Sequence, residues 1–456
     1  MKKMILLSIA SLLSLGLFAQ EQQEVRYNQY GVPVTRQQVR AEERNGILVF
    51  ESLDQSYRLW FDIRVQLDAA AFWGAPKDFD EIGNGASVRR ARFAVKAKIN
   101  DQWYGEIDTD FSNGLFELKD AVVQYTGLKD FAFKAGNFKE DFSMEQTTSS
   151  RYLAFIERPM VVQTFSPSRH LGVQAEYTRS WWRASFGVFG QVIDNLETLT
   201  YVQDNNKDYG RDEGLSYTAK INVMPVSADR TRGLHFGLAA SYRTPKTDAE
   251  DYGGSRYSCR NSTSINRKKY LDTDVIKNVK ADLLYGLELA GFCKGLRFQS
   301  EYIGNETRVT KDAAPDNAAT KRFGGWYAQA GYLLFGGQHR YDSGSGEFTQ
   351  PSRGHKWGDV ELLARYDYID LNSENITGGS GQNYTLGATY YINNSVKFVL
   401  NYQYSKNDRY ANGKNKLIVG HDASGVPTID FKKVVEAKGK AGVHYNMLAL
   451  RMEVDF

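Results

Sequence analysis

From Arg90 to Ile99 the side chains alternate without a break. Arg90, Arg92, Lys96 and Lys98 share one face with Ala94, while Ala91, Phe93, Val95, Ala97 and Ile99 share the other. Successive side chains of a strand point to opposite faces, so this period of two describes a strand with one apolar and one cationic side. Two surroundings accept such a strand. On a water-soluble core the cations face bulk solvent; in a membrane barrel the apolar face meets lipid and the cations line a wet lumen. The remaining strands decide between them.

The alternation runs through the chain. Leu59, Phe61, Ile63, Val65 and Leu67 oppose Asp62, Arg64, Gln66 and Asp68; beyond the tight Asn100-Asp101 turn, Trp103, Ile107 and Phe111 oppose Glu106, Asp108 and Asp110. Further strands are predicted near 116–126, 131–138, 170–179, 181–192, 214–223, 233–243, 278–292, 295–307, 323–335, 359–371, 381–392, 395–405 and 442–456. About sixteen strands of this length suit an outer-membrane barrel. The links alternate as well: 100–101, 127–130, 180, 224–232, 293–294 and 393–394 are short, whereas 73–86, 139–169, 193–213, 244–277, 308–322 and 406–440 are mostly long and polar. Short turns at one end and long loops at the other belong to such a barrel; a secreted soluble sandwich has no reason to show them. The link 336–358 breaks the rule. No apolar run beyond residue 19 approaches the ~20 residues of a spanning helix, which leaves the barrel reading untouched.

Both ends fit export to a membrane. Residues 1–19 read as a signal peptide, with Lys2 and Lys3 before an apolar stretch and Ala19 at its end. Residues 20–57 are expected to be a periplasmic segment ending in Ile47-Leu48-Val49-Phe50, and residues 58–456 the barrel. In the last strand Leu448, Leu450, Met452, Val454 and Phe456 face outward and Arg451, Glu453 and Asp455 inward. A terminal aromatic on an amphipathic strand resembles the signal read by the barrel assembly machinery, so that machinery and membrane lipid are expected partners. The expected fold is all-β, a transmembrane antiparallel barrel with an inward-folded constriction loop, in the outer membrane of a Gram-negative bacterium. Cys259 and Cys293 fall at opposite ends of this topology and are expected to stay unbridged.

No catalytic constellation is present: H-E-x-x-H, G-x-S-x-G, C-x-x-C and the phosphate-binding G-x-x-x-x-G-K-[ST] are all missing, and the 6 His have no metal-ligand spacing. Neither enzymatic activity nor a cofactor is expected, a barrel enzyme or surface-binding protein being the outlying reading. The net charge of +3 includes Lys2 and Lys3, so the mature chain is near neutral and carries no nucleic-acid footprint.

Two features point to a channel instead. One is the basic ladder. The other is the link 139–169, whose middle, Tyr152 to Val162, is too apolar for a loop in water. It is expected to pack against the barrel wall and bring Arg151, Arg158 and Arg169 to a constriction. The candidate pore-lining residues are therefore Arg64, Arg90, Arg92, Lys96, Lys98, Arg151, Arg158 and Arg169. Two accounts of the ladder remain open: the cations attract anions, or Asp62, Asp68, Glu106, Asp108 and Asp110 neutralise them across strands. Arg158 likewise either faces the lumen or pairs with Glu157.

Three stretches carry a family likeness. They are R-L-W-F-D-I-R-V-Q-L-D (58–68) with R-R-A-R-F-A-V-K-A-K-I (89–99); the segment 117–172 with E-L-K-D-A-V-V-Q-Y-T-G, A-G-N-F-K-E-D-F-S and S-P-S-R-H-L-G; and the segment 325–371 with G-W-Y-A-Q-A-G-Y-L-L-F-G-G and E-L-L-A-R-Y-D-Y-I-D-L. In these the chain resembles the phosphate-selective porin O and P family. The resemblance implies a 16-stranded homotrimeric porin for small anions, phosphate or pyrophosphate foremost, selected by arginine and lysine ladders of which Arg89 to Lys98 and the loop arginines are the counterpart here. It also implies the long link before E-L-L-A-R-Y, accounting for 336–358. The expected function is a passive channel for small anions, phosphate or polyphosphate; the alternative is a general diffusion or oligosaccharide porin of the same fold.

Overall fold

A computed structural model describes residues 26–34, 38–44, 47–75, 77–79, 82–112, 114, 116–190, 192, 214–245, 254–310, 320–411, 419–436 and 441–456. The signal-peptide reading of 1–19 lies outside them.

Sixteen strands form the wall. In chain order they are β1 (Tyr57–Trp73), β2 (Gly85–Ile99), β3 (Trp103–Asp110), β4 (Glu117–Leu128), β5 (Phe131–Lys139) and β6 (Arg169–Thr178). They continue as β7 (Trp182–Phe189), β8 (Ser216–Val223), β9 (Arg232–Arg243), β10 (Val279–Cys293) and β11 (Leu296–Val309). The last five are β12 (Thr320–Leu333), β13 (Asp359–Ser373), β14 (Ile376–Tyr391), β15 (Val396–Asn407) and β16 (His444–Asp455). Each pairs antiparallel with the next, and β16 closes on β1 in the register Leu450↔Ala69, Arg451↔Asp68. Every predicted strand is present. The segment 372–380, left outside the predicted strands, is instead strand on both sides of a tight turn, with Ser373 paired to Ile376.

The barrel is apolar outside and polar inside, as the alternation requires. Along β16, Leu448 and Leu450 are 43% and 44% exposed, whereas Arg451 and Glu453 are 1% and 2% exposed. A closed barrel pairs every backbone group between strands, which is what lets it cross hydrocarbon without an unpaired edge. Below Arg64, where β16 ends, the edge of β1 is covered by the hairpin Val39–Arg44 with Ile47–Ser52, through Phe50↔Leu59 and Glu51↔Arg58. Within the segment expected before residue 58, this hairpin thus continues the wall.

One half of the lumen is filled. The link after β5 folds inward and carries two short helices, α1 (Met144–Thr147) and α2 (Met160–Phe165). Met160, Val161 and Phe165 pack against Ile303, Tyr327 and Ile369 of the wall, as the apolar sequence of this link requires. Two further links depart from the sequence reading. The link 244–277, read as a polar outer loop, folds inside from residue 254 on, and its Tyr257, Leu271 and Ile276 join the same cluster. From the short-turn end, the hairpin Gln338–Asp342 with Glu347–Ser352 enters the lumen and seats Tyr341 and Phe348 against Met224, Ala290 and Phe292. Apolar side chains with no lipid to face bury one another instead. Cys259 is buried in the inward-folded link, Cys293 is exposed at a turn, and both are free.

The seam between β1 and β16 also carries a buried ion pair. Arg451 donates to Asp68 from Nε at 2.7 Å and from Nη2 at 2.8 Å. Removing one partner of such a pair leaves an uncompensated buried charge, a loss of roughly 3 kcal/mol or more. Asp68→Ala is therefore expected to lower the temperature at which the folded barrel is lost on heat-modifiability gels. An unchanged midpoint would mean that the backbone ladder alone holds the seam.

Candidate functional site

The unfilled half of the lumen, along β1 to β7, holds two chambers in line. The chamber toward the long loops has a volume of about 590 Å³ and the one toward the short turns about 570 Å³. Arg92, Lys139, Ser150 and Arg169 border both and so mark the neck between them. Their charge differs sharply. Eleven basic and three acidic side chains line the loop-side chamber, against eight and eight in the turn-side chamber. Below these, a third cavity of about 790 Å³ opens at the short-turn end and shares Arg151 and Tyr152 with the turn-side chamber.

Of the ladder, Arg92 and Lys96 border the balanced chamber, together with the candidates Arg64, Arg151 and Arg169. Lys96 reaches Asp62 at 2.9 Å and Glu106 at 3.4 Å, and Arg92 reaches Asp108 at 2.5 Å and Asp120 at 3.5 Å. Arg64 lies 3.7 Å from Asp62 and donates to the Ser150 hydroxyl at 2.7 Å. Arg151 pairs with Asp62 and, at 3.5 Å, with Asp455. Arg169 meets both carboxylate oxygens of Asp120, donating from Nε at 3.0 Å and from Nη2 at 2.7 Å. Lys98 borders none of the three cavities and pairs with Asp101 at 3.3 Å beside the turn. The neutralising account of the ladder therefore describes Arg92 and Lys96, while Lys98 is met at the turn by Asp101, outside the acids expected for it. Glu106, Asp108 and Asp120 lie within 4.8 Å of one another, but Arg92, Lys96 and Arg169 already meet their charge, so they act as counter-ions rather than as a cation site.

The loop-side chamber differs in kind. Among the described residues Arg90, Lys139 and Arg158 make no ion pair; each donates to neutral oxygen. Arg90 donates to the Gln66 side chain at 2.6 Å, and Lys139 to the carbonyls of Thr147 and Thr148 at 3.0 and 3.2 Å. Arg158 donates to the carbonyls of Glu145 and Thr148 at 2.7 and 2.8 Å. Burial pushes the Arg158 guanidinium down to about 10; Glu145 and Glu157 oppose this and the nearby cations Arg169 and Arg89 add to it, so it stays charged at neutral pH in a crowd of like charge. The pairing of Arg158 with Glu157 is not formed. Glu157 instead binds Arg89 and, at 3.2 Å, Arg260.

Two local devices supply cations that simple alternation misses. Opposite Gln66 and Leu67 the register of β2 slips between Val88 and Arg90, a bulge that leaves Arg89 unpaired in the ladder. Both Arg89 and Arg90 then border the loop-side chamber. The adjacent pair R-R before a strict alternation is the only sequence sign of this. Arg256, Arg260, Arg267 and Lys269 arrive on the inward-folded link between β9 and β10, and nothing in a polar loop sequence announces that it turns inward.

A water-filled passage whose upper part carries excess positive charge concentrates anions and can replace part of their hydration with guanidinium and ammonium donors. Comparison with known proteins agrees with a channel. The family model for phosphate-selective porin O and P matches residues 61–424. An uncharacterized protein of Caulobacter vibrioides is 29% identical over 364 residues, covering 77% of this chain and 69% of its own. Porin O of Pseudomonas aeruginosa is 25% identical over 403 residues, covering 80% and 87%. Among solved structures, OmpT, an outer membrane protein of Vibrio cholerae, superposes with a TM-score of 0.50 at 12% identity over 88% of this chain and 98% of its own, a likeness of fold. This chain belongs to the phosphate-selective porin O and P family and is, by family and fold, an outer-membrane porin, a channel rather than an enzyme.

Proposed function

We propose that the chain forms a passive channel for small anions, with phosphate or polyphosphate as the preferred solute, in the outer membrane of a Gram-negative bacterium with its long loops outside. One observation carries this reading: a chamber with eleven basic and three acidic side chains, in which Arg90, Lys139 and Arg158 hydrogen-bond to neutral oxygen alone. An oxyanion entering from the loop side meets guanidinium forks whose charge nothing else satisfies. The neck residues Arg92, Lys139, Ser150 and Arg169 then pass it to a chamber of zero net charge, where it is held less tightly and can leave. The description of the matching family, phosphate-selective porin O and P, supports the same assignment. A general diffusion or oligosaccharide porin is the second reading, favoured by the even charge of the turn-side chamber and by Tyr104 within it. Self-association as a homotrimer and recognition by the barrel assembly machinery belong to this proposal; exposed Phe456, paired through its backbone to Ile63, is the feature that recognition would use.

In planar bilayers with asymmetric KCl the reversal potential is expected on the anion side, and added phosphate should block the chloride current. Arg90→Gln and Arg158→Gln should each raise the half-blocking phosphate concentration about tenfold, the equivalent of about 1.4 kcal/mol. Reversal near zero or on the cation side would leave the general porin.

Charge reversal of the paired ladder is expected to act differently. Arg92→Glu with Lys96→Glu places like charges beside Asp62, Glu106 and Asp108, so the heat needed to unfold the barrel should fall more than selectivity shifts. A large loss of anion selectivity with unchanged unfolding would show that those two cations are free.

Acidity should sharpen selectivity. Burial pushes the Glu347 carboxyl up to about 7, with Asp342 adding to the shift and Lys139 opposing it. Ionised, Glu347 is one of the eight acids that balance the turn-side chamber; protonated, it leaves that chamber at +1. Anion-over-cation permeability should therefore rise as pH falls from 8 to 6. The rise should vanish in Glu347→Gln, and its survival there would assign it to another group.

A further inference from the structure

One carboxylate in the cationic chamber is placed where a solute anion would sit. Glu157, between Phe155 and α2 on the link after β5, is 3% exposed. Its Oε1 accepts from Arg89 Nε and lies 3.8 Å from Arg451 Nη2; its Oε2 accepts from Arg89 Nη2 and from Arg260 Nη2, both at 3.2 Å. Its backbone carbonyl is fixed separately, by Arg365 Nη1 at 2.9 Å. The three guanidiniums come from the bulge of β2, from the inward-folded link and from the closing strand, so they converge from three parts of the chain. Arg451 is already matched by Asp68, which leaves Arg89 and Arg260 to this one carboxylate. Against the effect of burial, Arg89 and Arg260 hold the Glu157 carboxyl well below the usual carboxylate range, so it is ionised wherever the channel works.

A salt bridge of this kind is a poor device for stability, since desolvation offsets much of the attraction. It is an effective device for limiting affinity. Two arginines left open beside Arg90 and Arg158 would hold an oxyanion strongly, and conduction requires that the solute also leave. We propose that Glu157 is a tethered competitor, a built-in carboxylate that occupies the Arg89–Arg260 pair and so sets how long a phosphate stays in the loop-side chamber. The tether gives it a high effective concentration at that pair, as any intramolecular ligand has. Glu157 is thus a specificity-determining residue that works by withholding cations from the solute. This rests on the anion-channel reading above.

The test is phosphate block of the chloride current in planar bilayers, with assembly of each variant checked by heat-modifiability. Glu157→Gln should lower the half-blocking phosphate concentration about tenfold and reduce phosphate flux at saturation. Glu157→Asp, which retains the charge, should move the concentration back toward wild type. A residue that merely anchors the link would give the opposite sign, with weaker block in both variants as Arg90 and Arg158 lose their alignment, and that result overturns the proposal, as does an unchanged value in Glu157→Gln. If Glu157→Gln does not assemble, Glu157→Gln with Arg260→Gln keeps the local charge constant. Near-native affinity in the pair supports the competitor, and affinity weakened tenfold or more overturns it. The wild-type reversal potential reports on the anion reading by itself, so its failure is not confused with that of the competitor.

Discussion

A wall that faces lipid on one side obliges the other side to hold all the polar groups, and this inversion governs the molecule. Arg451 and Glu453 are almost fully buried while Leu448 and Leu450 are exposed, the reverse of a soluble protein. Charges that point into so narrow a lumen have three ways to be satisfied: a counter-charge, a neutral hydrogen-bond acceptor, or whatever solute enters. Where each cation falls among these three decides whether it stabilises the barrel or serves the passage.

The three outcomes are separated along the axis. Around the turn-side chamber cations and acids interleave across neighbouring strands, and Arg92, Lys96 and Arg169 are drawn into a lattice with Asp62, Glu106, Asp108 and Asp120. Such a lattice braces the wall and leaves little field for a solute. Around the loop-side chamber acids are scarce, and Arg90, Lys139 and Arg158 rest on amide oxygens that neutralise no charge. Of the three acids that do lie there, Glu157 is spent on Arg89 and Arg260. On the proposed anion-channel reading, selectivity and rigidity fall to different layers of one barrel.

The narrowing is equally a matter of apolar packing. The half-lumen occupied by α2, by Tyr257 and Leu271, and from the other end by Tyr341 and Phe348 is a small hydrophobic core inside a polar shell. It fixes the loop that carries Arg158 to the wall and confines the passage to the side where the charged strands lie. Buried polar links reinforce it: Lys220 meets Glu288 at 2.8 Å, and Glu288 in turn meets His235, which holds Tyr341.

The sequence by itself determined the wall. Period-two alternation and the contrast between short and long links specify sixteen strands, their facing and their order, because each strand contacts lipid on one face and lumen on the other regardless of its neighbours. It also marked seven of the eight candidate side chains that border the passage, all but Lys98. What only the tertiary structure decided is which of those cations are free. That depends on a bulge that turns both Arg89 and Arg90 inward, on the folding of the links around Tyr257 and Tyr341 into the lumen, and on Glu157 reaching Arg89 and Arg260 rather than its neighbour Arg158. Pairing between charges is set by distances of a few ångströms across segments far apart in the chain, and no local pattern encodes them.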